Sequence, residues 1–255
     1  MLYKGIFFVF SILFTLIVST SADTLTPKTQ SKLRPGKYIL DNGNGELLIR
    51  LDKQGELTFS IVTVGANCST CDLSGIISGT IGYMDSWEED GKKSKCEISF
   101  TANHSAVNVQ SLTYDECRGF CGFRAGFNGI YSIPPKECTE AGKQKIHDQF
   151  LALYRSHNYT LAVSILQNQL QQCLSFINWI EIDEVRNDLA LAQYHNGEVQ
   201  QCLITLNKTL VAKVKDEQEL KEGYLSTCDF DSYIHVAKST WFNKELCTKA
   251  ISKRR

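Results

Sequence analysis

The sequence predicts an α+β protein built as two domains. The first is an antiparallel β-sandwich or small barrel with disulfides, and the second is an all-α helical-repeat domain. Three observations predict this. Short, β-rich runs separated by glycine turns fill the region from Gly36 to Leu112. From Glu140 onward, apolar residues recur at spacings of three and four. All ten cysteines lie after residue 67, an even count that suits a disulfide framework.

The chain opens Met1-Leu-Tyr-Lys4, then runs almost unbroken through apolar residues from Gly5 to Val18, with Thr20 and Ala22 before Asp23. A basic start, an apolar stretch and small residues at a cleavage point predict a secretory signal peptide over 1–22. The apolar run is shorter than the roughly 20 residues that span a bilayer, which favours a cleaved signal over an uncleaved anchor, and no later segment is apolar enough to cross a membrane. Export to the periplasm or outside the cell fits the cysteines, because disulfides persist in oxidising compartments. Residues 23–34 are polar and predict a flexible lead-in.

Residues 35–138 form the predicted β-domain. Lys37–Asp41, Glu46–Asp52 and Glu56–Val64 are separated by Asn42-Gly-Asn-Gly45 and Lys53-Gln-Gly55, which have turn chemistry. Leu57, Phe59, Ile61 and Thr63 alternate with Thr58, Ser60, Val62 and Val64. Gly75–Tyr83, Cys96–Thr101 and Ala106–Leu112 repeat that period of two. The cluster Glu88-Glu-Asp-Gly-Lys-Lys-Ser-Lys95 predicts a hairpin loop rather than a catalytic pair. Ile133-Pro-Pro-Lys-Glu-Cys138 ends the domain, since consecutive prolines suit neither a central strand nor a helix interior.

Residues 139–255 form the predicted helical domain. Tyr154, Tyr159, Ala162 and Leu166 match Tyr194, Val199, Cys202 and Leu206, each pair 40 positions apart. Leu189, Ala190, Tyr194, Gly197, Leu203 and Leu206 fit the helix–turn–helix pattern of a tetratricopeptide repeat, which this half resembles. That family's period is about 34 residues, so an insertion of about six is expected between Cys173 and Trp179. A third, more degenerate unit is expected from Asp231 to Ile251. The resemblance implies stacked helix pairs with a concave face for peptide or protein partners.

Three chemistries compete for the cysteines. Cys68-Ser-Thr-Cys71 has redox-motif spacing, but its β-like flanks lack the helix that would activate a thiol. Cys68, Cys71, Cys117 and Cys121 could form a four-thiolate zinc site. Disulfides are the favoured reading for Cys68, Cys71, Cys96, Cys117, Cys121, Cys138, Cys173, Cys202, Cys228 and Cys247. Six cysteines fall in the first half and four in the second, so each half is expected to close its own bridges. In Cys117–Cys138, Phe120, Phe123, Phe127 and Tyr131 are expected to pack in the core. Arg118 and Arg124 are the candidate partner contacts.

Net charge is −1, and no basic face for nucleic acid is apparent. The five histidines, at 104, 147, 157, 195 and 235, are expected on the surface or at helix ends, and no nucleophile elbow or phosphate loop is present. No cofactor or metal is expected. The sequons at Asn67, Asn103, Asn158 and Asn207 matter only if the source is eukaryotic.

The first half also resembles a domain of exported bacterial proteins. The residues that carry this are Pro35-Gly36-x-Tyr38, Leu57-x-Phe59-x-Ile61, Val64-Gly-Ala-Asn67, Cys71-x-Leu-Ser-Gly75, Cys96-x-Ile-x-Phe100 and Cys117-Arg-x-Phe-Cys-Gly-x-Arg-Ala-x-Phe-x-Gly-x-Tyr131. It is similar in texture to periplasmic lysozyme-inhibitor-like β-domains. The expected function is therefore an exported, non-catalytic protein-binding protein, such as an inhibitor or immunity protein. The alternatives are a structural cell-envelope component and an exported hydrolase with scattered catalytic residues.

Overall fold

The computed structural model describes residues 32–84, 88–89, 92–93 and 95–253. The expected signal peptide and most of the lead-in lie outside the described residues. Among the described residues, ten strands run in chain order: β1 Gly36–Leu40, β2 Gly45–Leu51, β3 Leu57–Val64, β4 Thr70–Ser78, β5 Ile81–Tyr83, β6 Glu88–Glu89, β7 Lys92–Lys93, β8 Glu97–Asn103, β9 Ala106–Ser111 and β10 Gly129–Ser132. Eight of them close an antiparallel barrel in the order β1-β10-β9-β8-β5-β4-β3-β2. Of the two predicted forms, the barrel is therefore the one adopted. Strands β6 and β7 pair separately, with Glu88 opposite Lys93 and Glu89 opposite Lys92, as the predicted hairpin requires.

Period-two alternation directs one side of each strand inward. Leu47, Ile49, Phe59, Ile61, Leu73 and Ile98 are all buried, and Phe59 meets Phe100 at a ring separation of 5.0 Å. A barrel of this size is filled by its own side chains. Closure depends on β10, where Tyr131 pairs with both Leu40 and Val107. The buried Tyr131 hydroxyl donates to the Phe127 carbonyl at 2.8 Å. The run Gly75–Tyr83 divides into β4 and β5, because Gly79 turns the chain with φ +63°. The lead-in ends earlier than expected. Leu33 is only 6% exposed and packs on the barrel core, and the Tyr38 hydroxyl donates to the Arg34 carbonyl at 2.8 Å.

A short helix, α1 (Tyr114–Arg118), precedes the closing strand. After it come α2 (Glu140–Arg155), α3 (Tyr159–Cys173), α4 (Trp179–His195), α5 (Val199–Leu206), α6 (Glu217–Gly223) and α7 (Thr227–Ser252). Capping explains several starts. Thr139 accepts from Gly142 at the head of α2, and Asn178 forms a capping box with Glu181 at the head of α4. Among the described residues, no helix is long and apolar enough to cross a membrane.

The turns α2–α3 and α4–α5 share one geometry 40 positions apart. His157 (φ +61°) and Gly197 (φ +83°) are both left-handed. Asn158 N–H donates to the Leu153 carbonyl and Glu198 N–H to the Gln193 carbonyl, the long bond of a Schellman turn. Ala162 and Cys202, like Leu166 and Leu206, are buried at equivalent places. The expected third pair does not form, because Asp231–Ile251 lies within the single uninterrupted helix α7. Its buried residues Tyr233, Val236, Ala237 and Thr240 keep one face on the neighbouring helices throughout, so nothing interrupts it.

A buried polar cluster ties α4 to α7. Asp183 accepts from the Tyr233 hydroxyl at 2.7 Å, from Leu210 N–H at 2.8 Å and from Arg186 at 2.9 Å. Burial, reinforced by the Asp183 carboxylate, raises the Tyr233 phenol above its ordinary pKa. Asn187 donates to Thr240 at 2.8 Å and accepts from Asn243 at 3.1 Å.

Candidate functional site

Five disulfides form, and they leave no cysteine free: Cys68–Cys228, Cys71–Cys121, Cys96–Cys117, Cys138–Cys173 and Cys202–Cys247. The two motif cysteines, Cys68 and Cys71, take different partners. The four cysteines of the zinc alternative are divided among three bridges. The expectation that each half closes its own bridges is corrected, because Cys68–Cys228 and Cys138–Cys173 both join barrel to helices. Cys68 reaches across because Asn67 and Cys68 adopt left-handed φ values of +56° and +54° at the β3–β4 corner. There, Asn67 N–H donates to Asp229 at 2.8 Å, and Cys228 N–H donates to Asn67 Oδ1 at 3.2 Å. Gly43 supplies another junction. A Cβ there would lie 2.2 Å from the Ile177 carbonyl carbon, and neighbouring Asn42 N–H donates to the Ser175 carbonyl at 3.1 Å.

Between the two crossing bridges lies a cleft of about 970 Å³, with Cys68 and Cys138 both in its lining. The barrel contributes Ile39, Val62, Val64 and Ile133; the helices contribute Phe176, Trp179, Ile180 and Leu225. Val62 and Val64 occupy the outer face of β3, at 45% and 48% exposure, where a freely solvated strand would carry polar residues. Charges rim these walls. Lys37 pairs with Glu46 at 2.5 Å. Lys143, only 14% exposed, pairs with Glu181 at 2.5 Å and Glu140 at 2.8 Å. Burial disfavours the Lys143 ammonium, but its hydrogen bonds to Glu140 and Glu181 outweigh that and raise its pKa. With Asp229, four carboxylates line the cleft against two lysines.

A second depression of about 870 Å³ lies among α2, α4 and α7, and shares Glu140, Lys143 and Glu181 with the cleft. His147 stands 3.9 Å from Asp188, and His235 stands 3.1 Å from Glu184. Burial pushes the Asp188 carboxyl up to about 6; His147 opposes this and Glu184 adds to it. All five histidines are exposed, as expected. Among the described residues, no group of three or more His, Cys, Asp or Glu is placed to hold a metal ion.

The predicted contacts have different roles: Arg118 is the last residue of α1, and Arg124 lies on the loop that follows, whose backbone packs on Gly65 at the cleft. Arg118 turns inward and donates to the carbonyls of Gly122 at 2.8 Å, Phe123 at 2.5 Å and Cys121 at 3.3 Å. It braces the loop and is half-buried. Arg124 is exposed. Of the four aromatics expected in the core, Phe127 and Tyr131 are buried and Phe120 packs against the core, but Phe123 is 89% exposed. The glycine Gly65 lets the loop lie flat on the barrel, since a Cβ there would meet the Arg124 carbonyl oxygen at 2.1 Å.

The cleft itself had no signature in the sequence. Its walls come from segments more than a hundred residues apart, and the only local sign was the apolar outer face of β3. No family model, curated protein or solved structure matches the chain.

Proposed function

We propose that this is an exported, non-catalytic binding protein whose cleft between barrel and helices takes an apolar, basic segment of a partner protein. The observation that carries this reading is the position of the cleft between two disulfides. A cavity whose walls are covalently tied is already in its binding shape, so little ordering entropy is lost on association. Its volume lies in the range of ligand sites, which favour domain junctions. The excess of carboxylates over lysines selects a cationic occupant, and the apolar walls select a hydrophobic one. The tetratricopeptide-like pairing of helices supports a protein partner, and the texture of the barrel sequence supports an inhibitor or immunity role in the periplasm. Five disulfides are compatible with that oxidising address.

The test is affinity capture of periplasmic proteins on the oxidised chain from Asp23, beside a Val64→Arg variant that puts a cation in the cleft. A stoichiometric partner retained by the parent and lost by the variant is expected. An inhibitor would also lower that partner's activity. Equal retention by both proteins would remove the cleft from the reading.

The depression among the helices favours a second reading, an exported hydrolase, because a carboxyl near pKa 6 beside a histidine suits proton transfer. Hydrolysis of a peptide or glycan substrate, abolished in Asp188→Asn and His147→Gln, would replace the binding reading with this one.

A further inference from the structure

The loop Cys121–Gly126 is held at almost every backbone position. The Cys71–Cys121 bridge anchors one end, and Thr63 donates to the Gly126 carbonyl at 2.9 Å at the other. Gly122 N–H donates to the Thr70 carbonyl at 2.8 Å, and Ala125 N–H closes a turn onto Gly122 at 3.0 Å. Arg118 occupies the carbonyls between them. So much order on a surface loop leaves one large apolar side chain, Phe123, in water, with an exposed cation next to it. Aromatic residues and arginines held in a fixed conformation are the side chains that dominate interface energies.

We infer that the Phe123–Arg124 tip of one copy docks in the cleft of a second copy, forming a two-fold dimer with two identical contacts. This rests on the reading of the cleft as a site for an apolar, basic segment, and the tip has that chemistry. Phe123 matches the walls of Val62, Val64 and Trp179, and Arg124 matches the surplus of carboxylates. Position supports the same pairing. The Arg124 carbonyl packs on Gly65, and Gly65 lines the cleft, so protrusion and receptor share one face. Two copies that meet through that face place each tip over the other's cleft, which closes the assembly instead of propagating it. The bracing also holds Phe123 out of its own cleft. The dimer then occludes both clefts, and a partner's segment must displace the second copy to bind.

Sedimentation equilibrium of the oxidised chain from Asp23, from about 1 to about 500 μM, tests this. A concentration-dependent dimer is expected, weakened at least about tenfold by Phe123→Ala or Arg124→Glu. Val64→Arg is expected to abolish it. Mixing the Phe123→Ala/Arg124→Glu protein with Val64→Arg restores one intact contact, so a heterodimer is expected where each protein alone is monomeric. A misfolded variant could not do this. A monomer throughout, or a dimer indifferent to the tip substitutions, overturns the inference. Titration of the peptide Gly-Phe-Arg-Ala separates the two readings. Saturable binding lost in Val64→Arg, with a chain that stays monomeric, retires self-docking and leaves the cleft reading standing. If the peptide does not bind and the chain is monomeric, self-docking falls, and the cleft reading falls with it only if partner capture is also indifferent to Val64→Arg.

Discussion

The sulfur of Cys68, at a corner of the barrel, is bonded to that of Cys228 at the start of α7, across a sequence separation of 160. One side of the cleft is defined by this bond, and Asn67 and Asp229 fasten the backbone beside it. Replacing both cysteines by serine is expected to cost about 2–4 kcal/mol, because the unfolded chain regains the freedom of a long loop. Denaturant unfolding under non-reducing conditions checks this. Partner binding should fall with it, since the cleft walls lose one of their ties.

The fork of Arg118 predicts a local effect. Arg118→Lys replaces a planar multiple donor with a point charge that cannot serve several carbonyls in one geometry. Global stability should fall by only about 1 kcal/mol. Hydrogen exchange at Gly122 and Ala125 should quicken about tenfold or more, while the amides of β8 and β9 keep their protection. Unchanged exchange in the loop would show that the disulfide alone holds it.

Asp183 is 2% exposed and satisfies three donors on separate segments. Asp183→Ala takes this acceptor from the Leu210 N–H and the Tyr233 hydroxyl and leaves Arg186 with only the Lys208 carbonyl. The expected loss is about 3–5 kcal/mol, as for other buried ion pairs deprived of one partner. Thermal unfolding measures it, and a shift of only a degree or two would contradict the role given to this cluster.

Asp188 gives a pH dependence of known sign. Its folded pKa, about 6, lies above the unfolded value near 3.9, so the folded state holds the proton more tightly. The contribution to stability is fully present below the unfolded value and is lost as pH rises through about 6. Relative to Asp188→Asn, the parent protein should therefore lose melting temperature between pH 4 and pH 7. Parallel curves for the two proteins across that window would refute the assignment.

Much of the fold was legible in the residues. Alternation in Leu57–Val64 marks a strand half-buried in a barrel, and spacings of three and four in Ile146–Leu170 mark helices. The matching turns at His157 and Gly197 were visible as an offset of 40 positions. The candidate site was barely legible. Arg124 is exposed, which is all that the structure shows of its candidacy, Phe123 lies in water where a core place is expected, and nothing local in the sequence marks the cleft.

The sequence by itself determined the class of each half, the turn positions and the stock of cysteines, because periodicity and backbone preference act over a few residues. Tertiary structure alone decided that β10 closes onto β1, that Cys68 meets Cys228, that α7 runs unbroken and that Phe123 faces water. Each of these depends on which distant segments share a face once the core is packed. Pairing of that kind is set by the summed burial of many residues, which no local stretch of the chain encodes.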